Sequence, residues 1–167
     1  MQDEGPTIIA VVNLYAFAVD TQRWELFDRV FTEDAHLDFG GGYGWNDRAS
    51  LKRDFALAHG MFKSTQHVTT NHLVTIETDR AHCISYVTGH FLRDLPGGTA
   101  MFESGGWYDD SLVRTAEGWR IAERICRMTW HQGNPEVMPG PLPEALDSLR
   151  ADAEAGSIAY LRVITGG

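Results

Sequence analysis

The 167-residue chain is poor in lysine and cysteine, and it has no long apolar run. Lys52 and Lys63 are its lysines, and its arginines are scattered. With a net charge of −9, it lacks the basic stripe that a phosphate backbone or an anionic bilayer surface demands, so neither nucleic acid nor membrane is expected as a partner. No apolar run approaches the ~20 residues that cross a bilayer as a helix. The acidic start, Met1-Gln2-Asp3-Glu4-Gly5-Pro6, has no apolar signal core, which makes a cytoplasmic location the expectation. Cys83 and Cys126 lie too far apart for a metal motif and read as buried thiols in a reducing setting.

Several chemical motifs are missing as well. There is no Gly-x-Ser-x-Gly elbow, no His-Glu-x-x-His and no dinucleotide fingerprint. Gly40-Gly41-Gly42-Tyr43-Gly44 is not followed by the Lys-Ser/Thr of a phosphate loop, so it reads as a flexible pocket rim. No cofactor and no metal are therefore expected. His67 with His72, or His82 with His90, could join a carboxylate at a two-histidine iron site, but those spacings are not diagnostic.

The chain does have enough apolar residues for one core, 43% hydrophobic, with five Trp, five Tyr and eight Phe. That aromatic content suits an apolar pocket for a small hydrophobic substrate. Ile8, Val11, Val12, Tyr15 and Val19 recur at spacings of three and four and predict a helix over 7–19, with Thr7 as its N-cap. A second helix is expected over 22–31, with Trp24, Phe27, Val30 and Phe31 inward. A third is expected over 49–59 behind Asn46 or Asp47, with Leu51, Phe55 and Ala58 inward.

Residues 35–39 alternate like a short strand. Four long strands follow, over 66–77, 81–93, 99–113 and 119–130, the last carrying Ile121, Glu123, Ile125 and Arg127 on one face. Beyond the Pro-rich loop, residues 144–155 read as a polar helix and 157–165 as an apolar tail. The expected fold is α+β: a curved mixed or antiparallel sheet and three N-terminal helices enclosing a cone-shaped pocket, a cystatin-like α+β barrel. The domain spans 1–135, and 136–167 form an extension that packs on the body or on a neighbouring subunit.

The run from Ser64 to Ile76 holds two histidines in a strand-like context. A histidine is the side chain best matched to base catalysis near pH 7, and a carboxylate on one imidazole nitrogen would orient it. Asp20, Asp38, His67, His72, His90, Glu103, Glu123 and Arg127 are the titratable groups that could face the cavity, with hydroxyls from Tyr15, Tyr86 and Tyr108. Each has a plainer reading. Asp20 could cap a helix, Tyr15 could be a core aromatic, His90 could be a solvated strand end, and Arg127 could pair with Glu123. His36, His59, His72, His82 and His131 read as structural or solvated.

Leu14-Tyr15, Val19-Asp20 and Trp24, then Phe31-Thr32-Glu33-Asp34-Ala35, Thr65-Gln66-His67 with Asn71, and Gly118-Trp119-Arg120-Ile121 carry a resemblance. From about Ile8 to Pro135 the chain resembles the SnoaL-like family of the nuclear transport factor 2-like superfamily. Within it, the likeness is to scytalone dehydratase, bile acid 7α-dehydratase and hexachlorocyclohexane dehydrochlorinase.

The resemblance implies a cofactor-independent lyase, dehydratase-like, in which His67 and Asp20 form the catalytic dyad. Tyr15, His90 and Arg127 would act beside it. Trp24, Phe39, Phe55, Tyr86, Ser104 and Trp107 would line the substrate site. Val19 and Phe39 stand where scytalone dehydratase has catalytic tyrosines, so its substrate and water-activating step are not implied. Isomerase or polyketide cyclase activity, or non-catalytic small-molecule binding, are the alternatives. A homodimer or homotrimer is what the family leads one to expect.

Overall fold

A computed structural model describes residues 4–143, 146–155 and 158. Helix α1 (Gly5–Asp20) begins two residues before the predicted start. Pro6 occupies its first turn, where a missing N–H costs nothing, and Thr7 lies inside the helix rather than capping it. The predicted stripe is real, with Ile8, Val12, Tyr15 and Val19 all buried.

The expected second helix is almost absent. Gln22 has φ of 53°, left-handed backbone that no helix can start from. What remains is a 3₁₀ turn (Trp24–Leu26) and a single α-turn, α2 (Phe27–Val30). Strand β1 (Phe31–Asp38) then begins four residues earlier than predicted, because Phe31 already pairs with Ile121. A two-residue strand β2 (Gly44–Trp45) follows. Helix α3 (Arg48–His59) is capped as expected by Asp47, whose Oδ1 accepts from the Ser50 N–H at 2.7 Å.

Four long strands complete the body: β3 (Ser64–Glu77), β4 (Arg80–Leu95), β5 (Gly98–Thr115) and β6 (Gly118–Gly133). The sheet order is β2-β1-β6-β5-β4-β3. β3 to β6 form an antiparallel meander, and β1 joins β6 in parallel, so the sheet is mixed. Helices cover one face, the inner one, and α1 lies across β3. The fold is the expected α+β class.

Successive strand residues alternate faces, and directly opposed residues share one, so pairing assigns every side chain to a face. Ala81, Cys83, Phe91, Phe102, Tyr108 and Leu112 face the helices and are buried there. Ile84 and Trp107 are buried on the other side, with Ile158 against them. Of the predicted tail over 157–165, Ile158 alone is among the described residues. Of the predicted helix over 144–155, α4 (Leu149–Ala155) forms, and residues 144 and 145 lie outside the described ones.

Candidate active site

Asp20 is the last residue of α1, and the Thr21 side chain, not Asp20, bonds back to the helix. The Asp20 carboxylate is thus free to reach β3. Its Oδ1 lies 2.7 Å from His67 Nδ1 and accepts from Thr65 Oγ1 at 2.9 Å, and its Oδ2 accepts from the His67 backbone N–H at 2.8 Å. Thr65, His67 and Thr69 alternate onto the inner face, and Thr69 bonds Asn13 of α1 at 2.6 Å. A carboxylate that only accepts requires Nδ1 to carry the proton, which leaves His67 Nε2 as the basic nitrogen. Burial works against the charge of Asp20, but the bonds from His67 and Thr65 outweigh it and hold the carboxyl below its ordinary range.

The His67 side chain is 9% exposed and that of Asp20 19%, so the dyad is largely shielded from water. The edge of the His67 ring meets Phe91, with centroids 5.3 Å apart. Gly89, directly opposite His67, makes this contact possible, because a Cβ there would come within 2.8 Å of Phe91 Cε2. The same row continues across the sheet to Ser104 and then His131. Ser104, a predicted pocket residue, therefore stands on the dyad's face, two strands or about 10 Å away. Trp24, Phe39 and Phe55 are also on this side, joined in an aromatic cluster with Trp45, Tyr15 and Phe27.

Other predicted residues are not brought to the dyad. His90 pairs with Gln66 and Glu103, each one position off the His67 row, and so lies on the outer face. Its Nδ1 bonds Glu103 Oε1 at 2.8 Å, and Glu103 also takes the Gln132 amide. Arg127 and Trp107 oppose each other on that same outer face, and Tyr86 opposes Trp107 there. Trp107 is buried under Ile158, whereas Tyr86 is 48% exposed. Arg127 is bound not to Glu123 but to Asp38, Nη2 to Oδ2 at 2.6 Å. With Asp38, Phe39, Gly40–Gly42, Met128, Pro143 and Asp147 it lines a groove of about 470 Å³ at the sheet's rim. The three glycines of that rim all have positive φ. His67 and Asp20 do not line this groove.

Tyr15 is on the inner face but in the closed core. The guanidinium of Arg124 lies between its ring, 4.4 Å away, and that of Tyr108, 4.0 Å away. Arg124 and Asp110 are wholly buried and joined by two bonds of 2.6 and 2.7 Å. Burial pushes the Tyr15 and Tyr108 hydroxyls well above their ordinary ionisation range. The inward arginine of β6 is thus Arg124, which the alternation read from Ile121 does not reveal. A bulge between the Ser111–Glu123 and Leu112–Ile121 pairs puts Ile121 inward but Glu123, Ile125 and Arg127 outward.

His59, read from the sequence as structural or solvated, is packed among Trp24, Phe55 and Phe62. It closes α3 with Nδ1 3.0 Å from the Phe55 carbonyl. Burial pushes its pKa down to about 4. The signal available in the sequence was its place on the α3 stripe, four residues after Phe55. No group of three or more His, Cys, Asp or Glu among the described residues is arranged to hold a metal ion. No described helix is long and apolar enough to cross a membrane.

The model of the SnoaL-like domain matches residues 6–125, and the chain belongs to that family, within the nuclear transport factor 2-like superfamily. An uncharacterized protein of Mycobacterium tuberculosis is 33% identical over 114 residues, which are 66% of this chain and 76% of that one. A candidate scytalone dehydratase from Novosphingobium aromaticivorans superposes with a TM-score of 0.68 at 20% identity, covering 83% of this chain and 92% of that one. A type 2 hexachlorocyclohexane dehydrochlorinase superposes with a TM-score of 0.65 at 16% identity, covering 81% and 90%. At these identities the two structures speak to the fold alone.

Proposed function

We propose that the protein is a cofactor-independent lyase, dehydratase-like, that removes a proton from a small hydrophobic cyclic or carbonyl substrate with His67 as base. The observation that carries this reading is the 2.7 Å contact between His67 Nδ1 and Asp20 Oδ1, with Asp20 itself held by Thr65 and the His67 N–H. The names of the dehydratase and dehydrochlorinase that share the fold agree with it.

In the reaction, His67 Nε2 takes a proton from the carbon beside an electron-withdrawing group. The C–H electron pair becomes the new C=C bond as the C–O bond on the neighbouring carbon breaks. The imidazolium, stabilised by Asp20, then returns its proton to the departing hydroxyl, and water leaves. His67 serves in both directions because His90 and Arg127 stand on the opposite face and Tyr15 is enclosed in the core. Ser104, which shares the face of His67, would donate from its hydroxyl to the substrate carbonyl.

The test is a panel of cyclic hydroxy-ketones, with water loss followed by the ultraviolet absorbance of the conjugated product. Asp20→Asn and His67→Ala should each reduce turnover by about 10²-fold or more while circular dichroism stays unchanged. Turnover at the parental rate in either folded variant overturns the mechanism.

A further inference from the structure

We infer that His59 is a substrate-orienting residue, whose Nε2 accepts a hydrogen bond from a hydroxyl group on a ring substrate held over Phe62 and Phe91. The inference rests on the dyad reading above and narrows its substrate class to hydroxylated ring compounds.

Two bonds and a set of ring contacts hold the group. Nδ1 sits 3.0 Å from the Phe55 carbonyl oxygen, which can only accept, so Nδ1 carries the proton and Nε2 the lone pair. No described residue bonds Nε2, and that atom keeps some exposure, so a ligand can reach it. The imidazole stacks on Phe55 with centroids 4.9 Å apart, and it meets Trp24 and Phe62 edge-on at 5.5 Å each. Gln22 fixes the backbone beneath it, donating from Nε2 to the His59 carbonyl at 3.1 Å. A ring confined in this way accepts a bond without loss of rotamer freedom on binding.

His59 also belongs to the dyad's surroundings. Phe62 lies 5.3 Å from Phe91, which lies 5.3 Å from His67, so a row of largely buried apolar rings links the two imidazoles. The charged groups that act on His59 are His67, which disfavours its protonation, and Asp20, which favours it. Burial is the larger effect and keeps the ring neutral down to about pH 4. The two histidines thus present the same tautomer for different tasks. His67, backed by a carboxylate, can take up a proton. His59, backed by a carbonyl, stays an acceptor through the physiological range.

The probe is 2-naphthol, compared with 2-methoxynaphthalene, which has the same ring system but no donor. Fluorescence titration of the full chain at pH 7.5 should show naphthol bound about tenfold more tightly, the worth of one buried hydrogen bond. Naphthol, but not the ether, should shift the ¹⁵N resonance of His59 Nε2 in labelled parental protein, a readout that needs no variant. His59→Leu should erase the preference and leave ether binding within about twofold, whereas His59→Gln, which keeps an acceptor, should restore most of it. In the parental protein the preference should hold from pH 7.5 to 5, weaken near pH 4 and be lost below it as Nε2 gains a proton. Equal binding of the two probes, an unmoved Nε2 resonance, or a preference that survives in folded His59→Leu overturns the inference. None of these results touches the dyad reading, which the elimination assay on Asp20 and His67 variants decides separately.

Discussion

Asp20 reaches His67 twice, once at the ring nitrogen and once at the backbone N–H of the same residue. The carboxylate therefore ties the end of α1 to the start of β3 as well as orienting the imidazole. Asp20→Ala should cost about 2 kcal/mol in urea unfolding, from lost charged hydrogen bonds in a mostly shielded site. Because the folded carboxyl titrates below its ordinary range, its contribution is complete above the ordinary carboxylate pKa. It is lost as the pH falls through the folded value. The gap between parental protein and Asp20→Ala should thus be wide at pH 7 and narrow at strongly acid pH.

His59 reports its burial through acid stability. Its folded pKa of about 4 lies below the unfolded value near 6.5, so the unfolded chain binds more protons between these limits. Stability should rise with pH across that window and fall as acid is added. His59→Phe keeps a ring in the stack and has no proton to bind. Its melting temperature should change less between pH 6.5 and 4 than that of the parental protein, as measured by calorimetry.

Asp109 should act with the opposite sign. Burial, with Asp110 and Glu123 adding repulsion, raises its pKa to about 6. The folded state holds the extra proton, so its relative stability is greatest below the unfolded pKa and is lost as pH rises through 6. Asp109→Asn should therefore raise the melting temperature at pH 8, by an amount equivalent to about 1–3 kcal/mol, and change little at pH 4. A variant that melts earlier than the parent at pH 8 would show that the carboxylate has a favourable partner.

Arg124 and Asp110 form a buried pair in which removal of one member strands the other. Arg124→Ala should lose about 3–5 kcal/mol in urea unfolding. The paired replacement of both by Leu and Val should recover a good part of that loss, since neither charge is then left unpartnered. A single Arg124→Ala variant as stable as the parent would remove this account of the core.

Gly89→Ala tests the packing that seats the dyad. The new methyl would come within 2.8 Å of Phe91 and 3.6 Å of His67 Cδ2. Phe91 should move, and the ring signals of His67 should shift in the NMR spectrum with little change in secondary structure.

Much of this protein is legible along the chain. The α1 stripe, the Asp47 cap, the four long strands and the aromatic excess follow from local periodicity and capping, which act over a few residues. Asp20 and His67 could be named together because the motifs around them resemble a family, although 47 positions separate them. What only the tertiary structure decided is which face each strand residue occupies. His90 and Arg127 share strands with inward residues, yet pairing and bulges turn them away from His67. Arg124 is turned in by the bulge beyond Ile121. The helix expected over 22–31 gave way to a left-handed Gln22 and to the pairing of Phe31 with Ile121. The reason is geometric. A strand has a two-residue period, so a single bulge exchanges its faces, and the bulge is set by a partner strand that local sequence does not identify.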